Sequence, residues 1–405
     1  MTLIWDIYSF MHLVIVSPFP PSITGIGQYG YHVARGLVKS GAFTRVTVLA
    51  GSLPDGESPN HLGTAELEYC WAPNQWDARQ AILSRVKRLH PDLVWFNAGV
   101  SIFGNSPWLN VSGLLTPLLV RRMGFPTVVT LHELVEFADL RTLSAPGGPL
   151  ARAGARLLTL IASQADLLCL TMKEYAERLS QRGVDCVHIP IGAYHEPQRL
   201  LNSDSQELLF FTTLAPFKGL EILLDSFTQL RREYPQLTLN IAGAAHARFP
   251  EYARRLMECF GQMDGVRWLG QVPEDDVLEL FRRVQVVVIP YSASTGSSSV
   301  LYQAAAWGRA VVASDLHDIK KLALENDLQV EFFENGSAQS LSAALRKLLD
   351  SEEMRNAQTA HNFNAIQRMK PQETVRKYLQ VFNRALEKRL SPKRIPLPAS
   401  ERKSA

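Results

Sequence analysis

The chain has 405 residues, 46% of them hydrophobic, which is enough for two or three domains with their own cores and too apolar for general disorder. A formal net charge of +3 gives no electrostatic ground for nucleic-acid binding, and no nucleic-acid partner is expected. No apolar run approaches the ~18–20 residues needed to span a bilayer. The four cysteines, Cys70, Cys169, Cys186 and Cys259, show no CxxC spacing, so neither a disulfide framework nor a zinc site is indicated and a reducing, cytoplasmic setting is expected.

The start, MTLIWDIYSFMHLVIV, lacks the basic n-region and small-residue cleavage site of a signal peptide, and Met11 stands as an alternative initiator. Strands are then expected at Leu13–Ser17, Arg45–Ala50, Glu66–Cys70, Asp92–Phe96, Thr127–Leu131, Asp166–Thr171 and Val187–Ile191. Helical periodicity fills the gaps at Gly27–Lys39, Ala78–Leu89, Ser112–Arg122, Leu150–Ala162 and Lys173–Gln181. Such alternation predicts βαβ units and a parallel sheet. At Gly192–Gln206 the pattern lapses into a polar stretch, GAYHEPQRLLNSDSQ, which sets the domain boundary.

A second alternating series follows: strand Leu208–Thr212, helix Leu220–Glu233, strand Leu237–Ala242, helix Pro250–Gln262, strand Val266–Gly270, helix Glu274–Val284, and strands Val286–Pro290 and Ala310–Ser314 around a short Ala-rich helix. Helices Ser337–Leu349 and Glu352–Phe363 come next. The expected organisation is α/β, with two doubly wound Rossmann-like domains, 11–195 and 205–371, facing a central cleft. A helix over 372–388 is expected to pack back towards the first domain, ahead of a disordered tail at 389–405.

Two glycine-rich loops suit phosphate. Gly296, Ser297, Ser298 and Ser299 open the Ala-rich helix, where unpartnered N–H groups and the helix dipole favour an anion. Gly25-Ile26-Gly27-Gln28-Tyr29-Gly30 is a literal GxGxxG, but seven residues, PFPPSIT, separate it from the first strand. The second strand also ends without an acid, so the motif does not read as NAD-binding. Instead Gly25 and Gly27 let backbone approach some other phosphorylated ligand. His132 and Glu133 follow a buried strand and are expected at its carboxyl end, where a histidine can orient hydroxyls or move a proton.

Four segments in order, HLVIVSPFPPSITGIGQYG, TVVTLHE, LLFFTTLAPFKGLEILLDSF and VVVIPYSASTGSSSVLYQAAAWGRAVVASD, resemble the GT-B glycosyltransferases, particularly the family 4-like (group 1) enzymes. The resemblance implies transfer of a sugar from a nucleoside-diphosphate donor to a saccharide or lipid-linked acceptor, with retention, in polysaccharide or glycolipid biosynthesis. It implies no cofactor beyond that co-substrate and no metal for donor binding. By the same resemblance Lys218 contacts the donor diphosphate, and Thr213 stands where the family carries an arginine. Gly270 and Val272 lie where relatives hold the nucleoside. The family's acid-x7-acid pattern falls on Thr295 and Gln303: glutamine can still accept from ribose, whereas threonine brings no negative charge near the donor sugar. His132, Glu133 and Thr295 are thus the catalytic candidates, and a catalytically silent partner subunit that binds nucleotide or glycan is the alternative. Arg141, Arg152 and Arg156 in Leu140–Ala162 extend the resemblance to a peripheral contact with the inner membrane face.

Overall fold

A computed structural model describes residues 11–21, 24–51, 62–137, 148–200, 206–246, 248–294 and 296–390. Of the tail expected at 389–405, Arg389 and Leu390 instead end the last helix, with Arg389 paired to Asp166, and the rest lies outside the described residues, as do Arg141 and Thr295. Strands β1 (His12–Ser17), β2 (Arg45–Gly51), β3 (Glu66–Trp71), β4 (Leu93–Ala98), β5 (Thr127–Leu131), β6 (Leu167–Leu170) and β7 (Cys186–His188) form one wholly parallel sheet in the order β3-β2-β1-β4-β5-β6-β7. Strands β8 (Glu207–Phe211), β9 (Thr238–Ala242), β10 (Val266–Gly270), β11 (Val286–Ile289), β12 (Ala310–Ser314) and β13 (Glu331–Phe333) form a second, β10-β9-β8-β11-β12-β13. Both faces of each sheet are covered by helices, which is why β1, β4, β11 and β12 are buried along their whole length and read as unbroken apolar runs.

The helices are α1 (Gly25–Ser40), α2 (Ala78–Leu89), α3 (Pro107–Leu114), α4 (Thr116–Arg122), α5 (Pro149–Ala162), α6 (Lys173–Ser180), α7 (Leu220–Leu230), α8 (Pro250–Phe260), α9 (Val277–Arg283), α10 (Ser299–Ala306), α11 (His317–Glu325), α12 (Ala338–Asp350), α13 (Glu352–Ile366) and α14 (Pro371–Leu390). Three expectations need correction. The single helix expected at Ser112–Arg122 is two, α3 and α4, parted at Leu115 because Pro117 fits only the first turn of a new helix. The helix expected from Glu274 begins as a 3-10 turn, Glu274–Asp276. Finally, helix α11 and the three-residue strand β13 are additional to the expected elements.

Helix α14 follows the second sheet in the chain yet packs on the first domain. Its Tyr378 hydroxyl lies 2.8 Å from both Tyr29 Oη on α1 and Thr130 Oγ1 on β5. Arg384 pairs with Asp185 at 2.6 Å. A buried hydroxyl chain of this kind fixes a unique docking angle, since each member would be costly unpaired. At each sheet the strand order reverses, between β1 and β4 and between β8 and β11, which opens a crevice at the carboxyl ends of the strands at each switch point.

Candidate active site between the two sheets

Thr24 caps α1, accepting from Gly27 N–H at 2.9 Å, and leaves Gly25 exposed at the helix start. A Cβ on Gly27 would sit 2.9 Å from Thr24 Oγ1 and 3.3 Å from Pro18 O, so the tight entry needs glycine. Gly30 has a different task. A Cβ there would meet Ser17 Oγ at 2.3 Å and Asn97 Nδ2 at 2.7 Å, so glycine lets α1 settle onto a polar cluster at the carboxyl ends of β1 and β4.

Asn97 organises that cluster. Its amide donates to Ser17 Oγ (2.9 Å) and to Ile26 O (2.7 Å), so its carbonyl oxygen accepts from His132 Nε2–H at 2.6 Å. His132 follows β5 directly, and its ring meets Tyr29 edge-on at 4.7 Å. Burial pushes its pKa down to about 3, so the ring is neutral near pH 7 with Nδ1 as the acceptor. His132 is therefore built to orient a hydroxyl; moving a proton near neutrality would need a much higher pKa.

That value has a consequence for stability. His132 binds its proton less well folded than unfolded, where its value is 6.5. The stability it contributes is complete above that value and is lost as pH falls towards about 3. His132→Gln, which preserves a donor to Asn97, is expected to flatten the acid limb of the urea-denaturation profile by up to ~1.4 kcal/mol per pH unit. An unchanged limb would show that the ring is not held neutral.

Glu133 pairs its backbone with Gly296 in an antiparallel bridge, which carries the first domain across to the second. Burial raises its carboxyl pKa, opposed by the Val100 N–H and by the charges of Lys218 and Arg248. A Cβ on Gly296 would stand 2.3 Å from His132 O, so backbone approaches backbone here through glycine alone. Ser297 and Ser298 carry buried hydroxyls that complete no hydrogen bond among the described residues, although Ser297 lies towards the Tyr302 hydroxyl. Ser298 occupies the cap position of α10 without using its side chain as the cap, and Ser299 is the first helical residue. Gln303 is buried one turn further on.

Lys218 ends the 3-10 turn Pro216–Lys218 after β8, with Nζ 3.7 Å from the centroid of the Tyr291 ring and no ion pair among the described residues. Gly219 turns the chain into α7 at φ +67°, where a Cβ would lie 1.9 Å from Pro290 O. That contact seats the lysine turn against the end of β11. Thr213, half-buried, lies in the loop between β8 and this turn. The neighbouring segment after β9 pairs with this loop, His246 N–H donating to Leu214 O at 3.0 Å. It carries Arg248, a cation that sequence reading passed over because nothing local marks it. His246, lowered to about 4 by burial and by the Arg248 and Lys218 charges, lies on the same segment. Gly270 ends β10 at φ +61°, its carbonyl accepting from Gly243 N–H at 2.6 Å, and half-buried Val272 packs on the core behind it.

Two further contacts join the domains. Glu325 on α11 accepts from Lys173 N–H (2.9 Å) and Glu174 N–H (2.7 Å) at the start of α6, and Tyr175 Oη donates to Asp318 at 2.8 Å. Elsewhere His32, His195 and Glu274 converge, with His195 Nε2 2.7 Å and His32 Nε2 3.1 Å from Glu274 Oε1. No sequence motif announces this trio, because one member comes from α1, one from the crossing and one from the second domain.

The donor candidates Gly25, Gly27, Lys218 and Gly296–Ser299 thus gather at the carboxyl ends of β1, β8 and β11, with His132 and Glu133 entering from β5. Residues 24–192 match the family described as Glycosyl transferase 4-like domain, and residues 195–364 that described as Glycosyl transferases group 1. A phosphatidyl-myo-inositol mannosyltransferase of Mycolicibacterium smegmatis is 28% identical over 194 residues, covering 46% of this chain and 48% of the relative. The chain thus spans about half the length of that relative. A glycogen synthase of Mycobacterium tuberculosis is 23% identical over 376 residues, covering 84% and 86%. Among solved structures, sucrose-phosphate synthase from Thermosynechococcus elongatus superposes with a TM-score of 0.73 at 15% identity over 93% of this chain and 100% of that one. Anabaena HepE in complex with UDP and glucose superposes with a TM-score of 0.67 at 17% identity over 92% and 99%. Two parallel sheets meeting at their switch points, family matches that follow one another along the chain, and these neighbours lead to one conclusion: the chain belongs to the group 1 glycosyltransferases and has the GT-B fold.

Proposed function

We propose that this protein transfers a sugar from a nucleoside diphosphate to a saccharide or lipid-linked acceptor, with retention, in polysaccharide or glycolipid assembly. The observation that carries the reading is the Glu133–Gly296 bridge, which brings the backbone of Glu133 beside the residue that follows Thr295. The carboxylate missing at Thr295 is supplied from across the cleft by Glu133. Likewise Arg248 stands in for the cation missing at Thr213, sharing the diphosphate with Lys218. The N–H groups of Gly296–Ser299 and the free Ser298 hydroxyl complete the phosphate cradle. Gly270, Val272 and Gln303 take the nucleoside.

In this scheme the glycosidic C–O bond to the diphosphate lengthens while Lys218 and Arg248 stabilise the charge that develops on the leaving oxygen. The acceptor hydroxyl enters on the same face and gives its proton to a leaving phosphate oxygen, so no protein base is required. Glu133 stabilises the positive charge on the sugar ring, and His132 Nδ1 accepts from a sugar hydroxyl.

The acceptor side suits a lipid surface. The loop carrying Trp76 is bonded to the approach to α3, with Asn105 N–H donating to Asn74 Oδ1 at 2.8 Å, and α3 carries Trp108. These two rings are 85% and 81% exposed, and the adjoining α5 exposes Leu157 and Leu160 beside Arg152 and Arg156. No described helix is long and apolar enough to cross a membrane. Trp76→Ala/Trp108→Ala is expected to lose co-sedimentation with anionic vesicles and keep nucleotide binding; unchanged sedimentation would remove the lipid contact.

The reaction is tested by incubation with UDP-, GDP-, ADP- and dTDP-sugars while proton NMR follows nucleoside diphosphate release and the anomer of the product. One donor is expected to turn over with its anomeric configuration kept. An inverted product would overturn retention. Nucleotide binding without turnover under any acceptor would instead favour the silent subunit, to which the lost acids at Thr295 and Gln303 already point.

A further inference from the structure

We propose that His32, His195 and Glu274 form a binding site for a divalent transition-metal ion of the zinc type, and that this ion clips the two domains together. The three side chains come from α1, from the crossing between the sheets and from the turn after β10. One candidate ligand atom from each lies within 4.8 Å of the others, the one such grouping of three among the described residues.

Geometry favours an ion over a simple hydrogen-bond network. Ligands ~2.0–2.2 Å from a tetrahedral zinc lie roughly 3.3 Å apart. His32 Nε2 is 3.1 Å from Glu274 Oε1, and His195 Nε2, at 2.7 Å, need retreat only slightly. Both imidazoles aim at one carboxylate oxygen. Yet the deeply buried His32 Nε2, although 3.1 Å from that oxygen, completes no well-formed hydrogen bond among the described residues. A buried polar nitrogen left so is unfavourable, and a metal bond satisfies it.

The surroundings hold the ligands without closing the site. The His32 ring stacks on Tyr194 at 4.4 Å with a 13° tilt, and the His195 ring lies 5.6 Å from Trp307. The side chains of His195 and Glu274 remain 27% and 30% exposed, so an ion can enter and keep water as its fourth ligand. Two imidazoles and one carboxylate suit zinc, iron, nickel or copper; magnesium and calcium want more oxygen. Arg35, one turn along α1 from His32, is the opposing charge.

Position gives the ion its role. Glu274 follows the Gly270–Val272 loop within a few residues, and His195 lies on the chain crossing from one domain to the other. An ion held by all three would resist separation of the domains and would fix that loop. The donor diphosphate cradle does not enter this geometry, so the ion site stands whether or not the proposed reaction does.

Full-length protein stripped with a chelator and titrated with zinc alone is the test. Saturable binding of one ion per chain is expected, with a rise in Tm and, when cobalt(II) is substituted, the visible absorption of a low-coordinate site. Loss of an outer-shell partner costs metal sites 10–100-fold, so removing a direct ligand by His32→Ala or Glu274→Gln is expected to weaken zinc by at least about 100-fold. His361→Gln, at a partly exposed position on α13, should leave binding unchanged. His195→Gln serves as the second ligand variant if His32→Ala fails to fold. Absence of saturable binding, or affinity retained in the folded ligand variants, would reduce the trio to an ion pair with a neighbouring histidine.

Discussion

Lys218→Ala is expected to lower kcat by about 10²–10³-fold with little change in stability. The lysine follows the carboxyl end of β8, and its Nζ is held over the Tyr291 ring with no ion pair among the described residues, although its charge reaches the buried Glu133 carboxyl. A cation stationed this way is free to meet negative charge that grows on a leaving diphosphate. Removing one such preorganised group from a water-poor site typically costs 10²–10³ in rate. The folded structure loses only a cation–π contact, worth about 0.5–2 kcal/mol. Lys218→Arg should recover part of the rate, since charge survives while the ammonium's compact geometry does not. Steady-state kinetics beside thermal denaturation read both effects. A variant with normal kcat would place the lysine outside the chemistry.

Gly296→Ala is expected to cost about 100-fold in kcat/KM for a geometric reason. The added methyl would come within 2.3 Å of His132 O, a backbone atom that cannot swing aside. Since residue 296 bridges to Glu133, the strain is relieved most directly by parting the domains. Displacing catalytic groups by about 1 Å is enough for a 10²-fold loss. The core clusters around Val14 and Val16 in the first sheet and around Leu208 and Phe210 in the second are separate, so circular dichroism should be unchanged while activity falls. Full activity in this variant would show that the bridge is not part of the working conformation.

Much of the fold was legible because parallel strands covered on both faces leave long apolar runs. Val286–Ile289 and Ala310–Ser314 are recognisable for that reason, and so is the glycine-serine start of the helix between them. Punctuation failed where it was subtle. Pro117 splits a segment that reads as one helix, and β13 is three residues long. Missing α11 also hid a domain contact, because Glu325 and Asp318 on that helix hold α6.

The site divides in the same way. Gly25, Gly27, Lys218 and Ser297–Ser299 stand in local patterns whose chemistry follows from position on strand ends. Arg248 has no such pattern, and only the pairing of its loop with Leu214 reveals it. His132 was readable as a site residue but not as a neutral one, since that depends on burial and on Asn97. His32, His195 and Glu274 meet only when the domains do.

Calorimetric titration of the full chain with UDP, GDP, ADP and dTDP tests the two-walled cleft most directly. One-to-one binding of at least one diphosphate is expected, weakened in Lys218→Ala and strengthened when the free sugar is also present. At ~100 times Kd that ligand should stabilise the fold by ~2.7 kcal/mol. No binding by any of the four, or binding indifferent to Lys218→Ala, would contradict it.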